Sequence, residues 1–198
     1  MRAIDGTGLD KDLHANALSP RQVLIASASA YAGLSLPPHT LRENLLVDAD
    51  TAGLRSGTVL QIGDEVQLRL MFQCEACGQL DIRQPGLSRK IGMRRGMLAR
   101  VLAGGVIRRG DRVQDLGLLQ AAWSDDWRER ILQVLDAVPA QSVIEYKHLA
   151  RLAGVQSSYC RAFPRMIKNL GADYAGKAVT SQSASKLPRW EGPGLFRD

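Results

Sequence analysis

Cysteine, long apolar runs and blocks of one charge are all scarce in this chain of 198 residues. Three cysteines are too few for the disulfide framework of a small secreted protein. No apolar stretch approaches the ~18 residues that span a bilayer. The opening MRAIDGTGLDKDLH lacks the apolar segment of a secretion signal. We therefore expect a cytoplasmic protein with no membrane partner.

The charge of the chain permits an anionic ligand but does not require one. The formal net charge is +6, and no basic tail or acidic block concentrates it. An apolar fraction of 45% is ordinary for a globular protein with a packed core.

The sequence of the first 119 residues predicts mainly short strands and glycine-rich turns. The stretch VLQIGDEVQLRLMF predicts a hairpin that turns at Gly63-Asp64. LARVLAGGVIRRGDRVQ predicts a second hairpin, with turns at Gly104-Gly105 and Gly110-Asp111. One helix is expected to open at Ser19-Pro20 and to end at Gly33. This pattern favours an antiparallel barrel or compact sheet.

The pattern changes near Leu119 to Ser124, where helical periodicity takes over. DDWRERILQVLDAV, SVIEYKHLARLAG and QSSYCRAFPRMIKNLG each predict a helix, and KAVTSQSASKLPRW predicts a trailing hairpin. That order is typical of a winged helix-turn-helix. The expected fold class is α+β, with a β-barrel domain over 1–119 and a small winged-helix domain over 120–198.

Cys74 and Cys77 form a C-x-x-C pair at the end of a predicted strand. A structural zinc site needs four ligands, and no second C-x-x-C or H-x-x-x-H is present. A thioredoxin-like pair should open a helix, and CGQLDIRQPG is not a strong helix pattern. Two interpretations stay open: a functional thiol pair, or two small buried apolar fillers.

Several phrases of the first half, taken together in order, resemble the MOSC family, named for the C-terminal domain of molybdenum-cofactor sulfurases. They are GTGLDKDLHANALSPRQVL, LRENLLV, SGTVLQIGDEV, CEACGQL and RRGMLARVLAGGVIRRGDRV. The resemblance covers residues 5 to 114. Within the family, the sequence is similar to the short, stand-alone bacterial branch. Lys11 departs from it, because the family usually has Gly before the position of Asp12.

The resemblance implies a β-barrel-like fold and a cysteine, Cys77, that acts catalytically as ligand to molybdenum or as a sulfur carrier. It implies the molybdenum cofactor, an electron-donor or sulfur-donor protein, and N-hydroxylated bases or similar compounds as substrates. No PLP is expected, since in the sulfurases it belongs to a separate domain. The residues expected at the cofactor are Asp12, His14, Arg42, Glu43, Asn44, Cys74, Arg94 and Arg95.

Elementary chemistry is consistent with that set, although each member also has a structural interpretation. Arginine binds phosphate in a bidentate way, and a soft thiolate suits molybdenum. A nearby arginine would also favour the thiolate of Cys77. The Arg94-Arg95 pair equally fits a solvated turn, Arg42-Glu43-Asn44 a structural turn, and the Asp12 and His14 positions an ordinary loop.

The second half resembles the DNA-binding domain of O6-alkylguanine-DNA alkyltransferases and their alkyltransferase-like relatives. The likeness lies in V-I-x-Y-x-x-L-A at Val143 to Ala150 and in S-x-x-x-R-A ending at Arg161-Ala162. It implies that Tyr146 rotates a nucleotide phosphate and that Arg161 enters the base stack. The residues expected to contact double-stranded DNA are Tyr146, Arg151, Arg161, Arg165 and Lys168.

The acceptor cysteine of the alkyltransferases is missing. The nearest match to the family's P-C-H-R-V phrase is YAGKAV, which places Ala175 at the cysteine position. We expect no alkyl transfer, because no nucleophile remains. Cys160 is interpreted as helix packing, and Pro164 as a residue that interrupts the third helix or delays its start.

The combined prediction is a molybdenum-linked oxidoreductase or sulfur carrier, acting on modified bases and tethered to DNA by its second domain. One alternative is a non-catalytic, lesion-sensing DNA-binding regulator whose MOSC part senses a ligand. Another is a sulfur-transfer protein with no role at DNA. The sequence does not specify the substrate, the electron donor or the oligomeric state.

Overall fold

The computed structural model describes residues 1–196 and divides the chain into two compact units. The first unit contains Met1–Ala17 and Arg21–Trp123, and the second contains Leu18–Pro20 and the chain from Ser124 onward. No helix among the described residues has both the length and the apolar character needed to cross a membrane.

Strands dominate the first unit. In chain order they are β1 Arg2–Ile4, β2 Gly8–Leu9, β3 Val23–Ser27, β4 Leu45–Val47, β5 Thr58–Ile62, β6 Val66–Gln73, β7 Met97–Ala103, β8 Gly105–Val106 and β9 Val113–Leu118. Its helices are short: α1 Ala28–Leu34, α2 Gly78–Arg83, α3 Leu87–Ile91 and a 3₁₀ turn, Gly92–Arg95.

Six of these strands form a curled half-barrel in the order β4-β3-β7-β6-β5-β9, and β2-β1-β8 form a smaller sheet. All neighbours in the larger sheet are antiparallel except β3 and β4. Register shifts between β6 and β7 and between β5 and β9 mark bulges, which bend the strands that carry them. The expected β-rich first half of an α+β chain is confirmed.

Two buried clusters cover the larger sheet. One is lined by alternating residues of the central strands, including Leu68, Leu70, Ala99 and Val101. The other collects apolar residues of the three short helices and their connections: Ala26, Ala30, Leu36, Leu41, Leu80, Leu87 and Ile91. The second cluster anchors α2 and α3 over the end of the sheet where β6 finishes and β7 starts.

The predicted hairpin at Gly63-Asp64 is confirmed, since β5 and β6 pair around it. The second hairpin is wrong: β7 joins the larger sheet and β8 pairs with β1, so Gly104 separates strands of two different sheets. The helix expected from Ser19-Pro20 is also wrong in its first part. Val23–Ser27 is a fully buried strand between β4 and β7, and only Ala28–Leu34 is helical.

The second unit is mainly helical. Its elements are α4 Trp127–Ala137, β10 Ile144–Glu145, α5 Tyr146–Leu152, a 3₁₀ segment Ser157–Arg161, α6 Phe163–Asn169, α7 Ala172–Ala175 and β11 Ala178–Val179. The predicted helices thus form, and Pro164 lies in the first turn of α6, as a late helix start requires. Ile131, Leu135, Leu149 and Phe163 are fully buried in its core.

The expected trailing hairpin does not form within the described part of this unit. β11 pairs in parallel with β10, and Arg189 forms a parallel bridge with Val143. Both segments therefore use the backbone of 143–145 as their common partner instead of pairing with each other. The antiparallel wing of a winged helix-turn-helix is absent from residues 124–196.

Candidate functional site

Cys74 lies at the end of β6, held against the start of β7. Its N–H donates to the Gly96 carbonyl oxygen at 2.8 Å. Gly96 has φ 110°, and a Cβ there would collide with the Ile25 carbonyl oxygen of β3. Only glycine allows this approach, and it places the preceding residue, Arg95, against the end of the sheet.

The environment of Cys74 favours a neutral thiol. Burial raises the pKa of Cys74, while the positive charges of Arg95 and Arg21 oppose that increase. Burial is the larger effect because the charged thiolate would lose its solvation. Cys74 is therefore a poor thiolate ligand in this structure.

Cys77 occupies a more open position three residues on. It is the N-cap residue of α2, with extended backbone, and its side chain is half-buried. Both cysteines are unbridged thiols. The C-x-x-C is thus divided into a buried thiol and an accessible one, and the helix starts after the second cysteine.

Arg95 is a buried arginine with an unused donor. One guanidinium nitrogen donates to the Leu41 carbonyl oxygen, whereas Nε has no hydrogen-bond partner among the described residues. A buried donor without a partner is costly, and it often marks a place where another group binds.

A short chain of hydrogen bonds supports Arg95 from the side of α1. The Tyr31 hydroxyl donates to Glu43 at 2.6 Å and accepts from the Leu41 N–H at 3.1 Å. Burial, followed by the Glu43 hydrogen bond, raises the pKa of Tyr31 to about 12. Tyr31 thereby holds Leu41, the residue whose carbonyl oxygen accepts from Arg95. The sequence analysis missed this role.

Asp12 and Asn44 meet each other, and their bonds are structural. The Asn44 amide donates to Asp12 at 2.9 Å, and its oxygen accepts the Leu24 N–H at 2.8 Å. The other Asp12 oxygen accepts the His14 N–H at 2.7 Å. These contacts tie the loop before β3 to the edge strand β4.

The remaining predicted cofactor residues are exposed. Arg42 has φ 54°, and within residues 1–196 its side chain makes no hydrogen bond or ion pair. His14 is also exposed. Arg94 bends back and donates to the carbonyl oxygens of Lys90 and Ile91, which closes the end of α3. The structure thus groups Cys74, Cys77 and Arg95, with Arg21 and Tyr31 as additions.

No group of three or more His, Cys, Asp or Glu side chains that could hold a metal ion exists in the part of the chain that is described. The site therefore offers few protein ligands.

In the second unit, four predicted DNA contacts are exposed cations. Arg151 lies in the last turn of α5, Arg161 ends the 3₁₀ segment, and Arg165 and Lys168 lie on α6 at a spacing that shares one helix face. All four are exposed, and none forms an ion pair with a carboxylate within 1–196. Their charge is available to solvent.

The remaining predicted DNA contact, Tyr146, is packed. Its ring meets Phe163 edge-on, with centroids 6.0 Å apart, and burial raises its pKa. Cys160 Sγ lies 3.5 Å from the Tyr146 carbonyl oxygen, a contact that fits helix packing. Ala175, at the place of the acceptor cysteine, ends α7.

The model of the MOSC domain matches residues 10–114, which is more than half of the chain and includes both cysteines and Arg95. The chain belongs to the MOSC domain family. Apart from Leu18–Pro20, the match lies within the first unit, and it covers the phrases that carry the resemblance except for Gly6 to Leu9. It ends before Ser124, so the likeness to alkyltransferases has no support from the family match.

Solved structures share the fold of this MOSC protein. A hypothetical protein of solved structure is 15% identical with a TM-score of 0.53, covering 89% of this chain and 87% of its own. YiiM from Escherichia coli is 13% identical with a TM-score of 0.50, covering 86% and 87%. YiiM from Geobacillus stearothermophilus is 16% identical with a TM-score of 0.49, covering 75% and 79%. No curated protein matches the sequence significantly.

Proposed function

We propose that the MOSC domain binds the molybdenum cofactor, with Cys77 as its protein ligand, and serves the reduction of N-hydroxylated bases. The observation that carries the proposal is that an accessible thiol, Cys77, and a buried arginine with an unused donor, Arg95, both interact electrostatically with Cys74. Family membership supports the cofactor, since the MOSC domain is associated with it.

The donor set fits such a cofactor. Molybdopterin brings two sulfurs to its metal and carries a phosphate, so the protein needs one soft ligand and donors for an anion. Cys77 provides the thiol, and the Nε of Arg95 provides a directed donor that the described fold leaves unpaired. The scarcity of other metal-binding side chains agrees with a metal that arrives already ligated.

The chain's own residues would position and shield this site. Cys77 presents its thiol at the start of α2, and Arg95 is held by Leu41 and indirectly by Tyr31. Cys74 stays a neutral thiol behind them, because burial raises its pKa. When bound, the cofactor supplies the electron transfer that reduces an N–O bond.

The first test is metal and pterin analysis of the purified protein from cells that make the cofactor. Wild type is expected to carry both molybdenum and pterin, and Cys77→Ser is expected to lose about tenfold or more of each. Cys74→Ser probes the buried thiol of the pair and should keep most of the metal. Cys160→Ser, in the second unit, is the matched control and should match wild type.

Two results would overturn the assignment of Cys77. If Cys77→Ser retains molybdenum, Cys77 is not a ligand of the metal. If wild type contains no molybdenum, the proposed oxidoreductase activity is wrong. A persulfide found on Cys77 in metal-free wild type would instead favour a sulfur carrier, which uses the same accessible thiol.

For the second unit we propose binding to double-stranded DNA, in a helical fold related to alkyltransferases that has lost the acceptor cysteine. The support is that Arg151, Arg161, Arg165 and Lys168 are all exposed and that Arg165 and Lys168 share one face of α6. Exposed cations release condensed counterions when they contact phosphates, so affinity should fall as salt rises.

Fluorescence anisotropy with a labelled duplex tests this binding. Combined Arg165→Ala and Lys168→Ala should weaken binding and lower the salt slope by about 2. Arg128→Ala removes an exposed cation already paired with Asp126 at 3.7 Å and serves as control. Equal affinity in all proteins would contradict the proposal. Duplex binding by a wild type without molybdenum would instead favour a non-catalytic DNA-binding regulator.

A further inference from the structure

The segment 78–95, which follows Cys77 directly, presents a cationic outer surface. It contains α2, α3 and the 3₁₀ turn, and α3 packs against both of the others. Leu80, Leu87 and Ile91 point inward to the apolar cluster beneath. The exposed cations of this segment, here called the α2–α3 surface, are Arg83, Arg89, Lys90 and Arg94.

The α2–α3 surface has a net positive charge because its four exposed cations outnumber the single carboxylate of the segment. Asp81 is the only acidic residue of segment 78–95. It accepts the Ser88 N–H at 2.9 Å and the Ser88 hydroxyl, and these bonds lower the pKa of Asp81. Arg83, Arg89 and Lys90 form no ion pair with any carboxylate among residues 1–196.

Two large apolar side chains stand out on the same segment. Ile82 is 76% exposed and Met93 is 54% exposed, although the helices around them bury their other apolar residues well. Isolated exposed apolar residues are ordinary. Here they accompany four cations next to the accessible thiol, and apolar contacts within a polar rim are typical of protein interfaces.

We propose that the α2–α3 surface is the docking site of an acidic protein partner that serves the Cys77 site. The proposal rests on the proposed function only in taking Cys77 as the working thiol. Charge complementarity guides such a partner to the cations, while Ile82 and Met93 supply the dry contact. A small, salt-sensitive interface suits a transient encounter.

Other occupants fit the surface less well. A second copy of this chain, docked symmetrically, would face Arg83, Arg89 and Lys90 with the same cations, and like charges repel. A nucleic acid would use the cations, but its phosphates gain nothing from exposed Ile82 and Met93. An acidic protein uses both features.

Photo-crosslinking in the source cells tests the docking site on the full chain. Ile82→p-benzoylphenylalanine places the crosslinker in the centre, and the same analogue at Leu13, which is 97% exposed outside the segment, is the control. We expect one discrete product specific to position 82, identified by mass spectrometry as an acidic protein. Its yield should fall about tenfold with Arg83→Glu, Arg89→Glu and Lys90→Glu combined.

A matched charge reversal controls for net charge. Arg108→Glu, Arg109→Glu and Arg112→Glu change the same number of exposed arginine or lysine residues outside the segment and should leave the crosslink in place. The proposal is overturned by no product above the Leu13 control, by a product with a second copy or a nucleic acid, or by equal loss in both reversal variants.

Failure of this proposal can be told from failure of the proposed function. The proposed function assigns no cofactor contact to Arg83, Arg89 or Lys90, so their reversal should leave molybdenum and pterin content unchanged. A normal metal content without a crosslink would contradict only the docking proposal. A crosslink in a protein without molybdenum would contradict only the cofactor assignment.

Discussion

Arg95 in the first unit and Arg130 in the second are both buried, and their guanidinium groups are bonded differently. In the second unit, Arg130 is fully buried on α4, and its guanidinium donates to the carbonyl oxygens of Ala153, Ser124 and Asp125 at 2.8 to 2.9 Å. In the first unit, Arg95 donates to Leu41 and keeps its Nε without a partner. The guanidinium of Arg130 thus has three carbonyl acceptors, whereas that of Arg95 has a buried N–H without an acceptor.

The difference agrees with a structural role for Arg130 and with the proposed ligand contact of Arg95. Burying a guanidinium is costly, and three carbonyl acceptors offset that cost for Arg130, where they also join the start of α4 to the end of α5. For Arg95 the desolvation cost is only partly offset, because its Nε has no acceptor. We place Arg95 with Cys77 in the candidate site because both interact electrostatically with Cys74, and a bound ligand would give the Nε of Arg95 an acceptor.

The largest expected effect is on stability, from Arg130→Met. The change keeps an apolar stem but leaves three carbonyl oxygens without their donor, and we expect a loss of about 3 kcal/mol or more in the free energy of unfolding. Urea unfolding followed by circular dichroism measures it.

Arg128→Met is the control for that change, since it lies two residues away on the exposed side of α4. Its ion pair with Asp126 is solvent-exposed, so the expected loss is below about 1 kcal/mol. Similar losses in the two variants would contradict the structural role of Arg130.

Periodicity and turn chemistry predicted local structure well, but they predicted poorly which strands pair with each other. The alternation of Val66, Leu68 and Leu70 around the Gly63 turn identified β6 and its hairpin. The stretch from Val23 to Ser27 has no polar alternation, because both of its faces are buried, and such a run is indistinguishable from a buried helix. Gly104 was recognised as a break, but the sheet that each flanking strand joins depends on distant residues.

The candidate site was predictable in its residue types and not in its contacts. The C-x-x-C and the Arg94-Arg95 pair were visible, yet only the fold shows that Cys74 is buried and Cys77 accessible. Arg95 faces inward because Gly96 packs on Ile25, a contact across the sheet. Tyr31 was missed because its partners, Leu41 and Glu43, are ten or more residues away and leave no local pattern.

Arg95→Met should cost much less stability than Arg130→Met and much more function. One hydrogen bond is lost and one unpaired buried donor disappears, so we expect a loss of about 1 kcal/mol. Molybdenum and pterin content should nevertheless fall about tenfold.

Arg95→Lys sharpens that prediction. It keeps the positive charge but lacks the forked donor, so it should also lose cofactor. A variant at position 95 that loses about 3 kcal/mol and keeps its cofactor would make Arg95 as structural as Arg130.

The smallest expected effect is a pH dependence that comes from Tyr31. Its pKa is 10.0 in the unfolded chain and about 12 in the fold. Between these values only the unfolded state releases the proton, so rising pH favours unfolding. Below about pH 10, Tyr31→Phe should be less stable than wild type by about 1 kcal/mol, because Leu41 and Glu43 lose their partner.

The difference in the free energy of unfolding between wild type and Tyr31→Phe should narrow as pH rises, since phenylalanine cannot ionise and wild type alone loses the contribution of Tyr31. Urea midpoints of both proteins at about pH 9 and about pH 11.5 measure the change. Tyr146 and Tyr174 also have raised pKa values, but they are present in both proteins and cancel in the difference. A gap that stays constant would mean that Tyr31 ionises equally in both states. That result would contradict the effect of burial and of the Glu43 hydrogen bond on the ionisation of Tyr31.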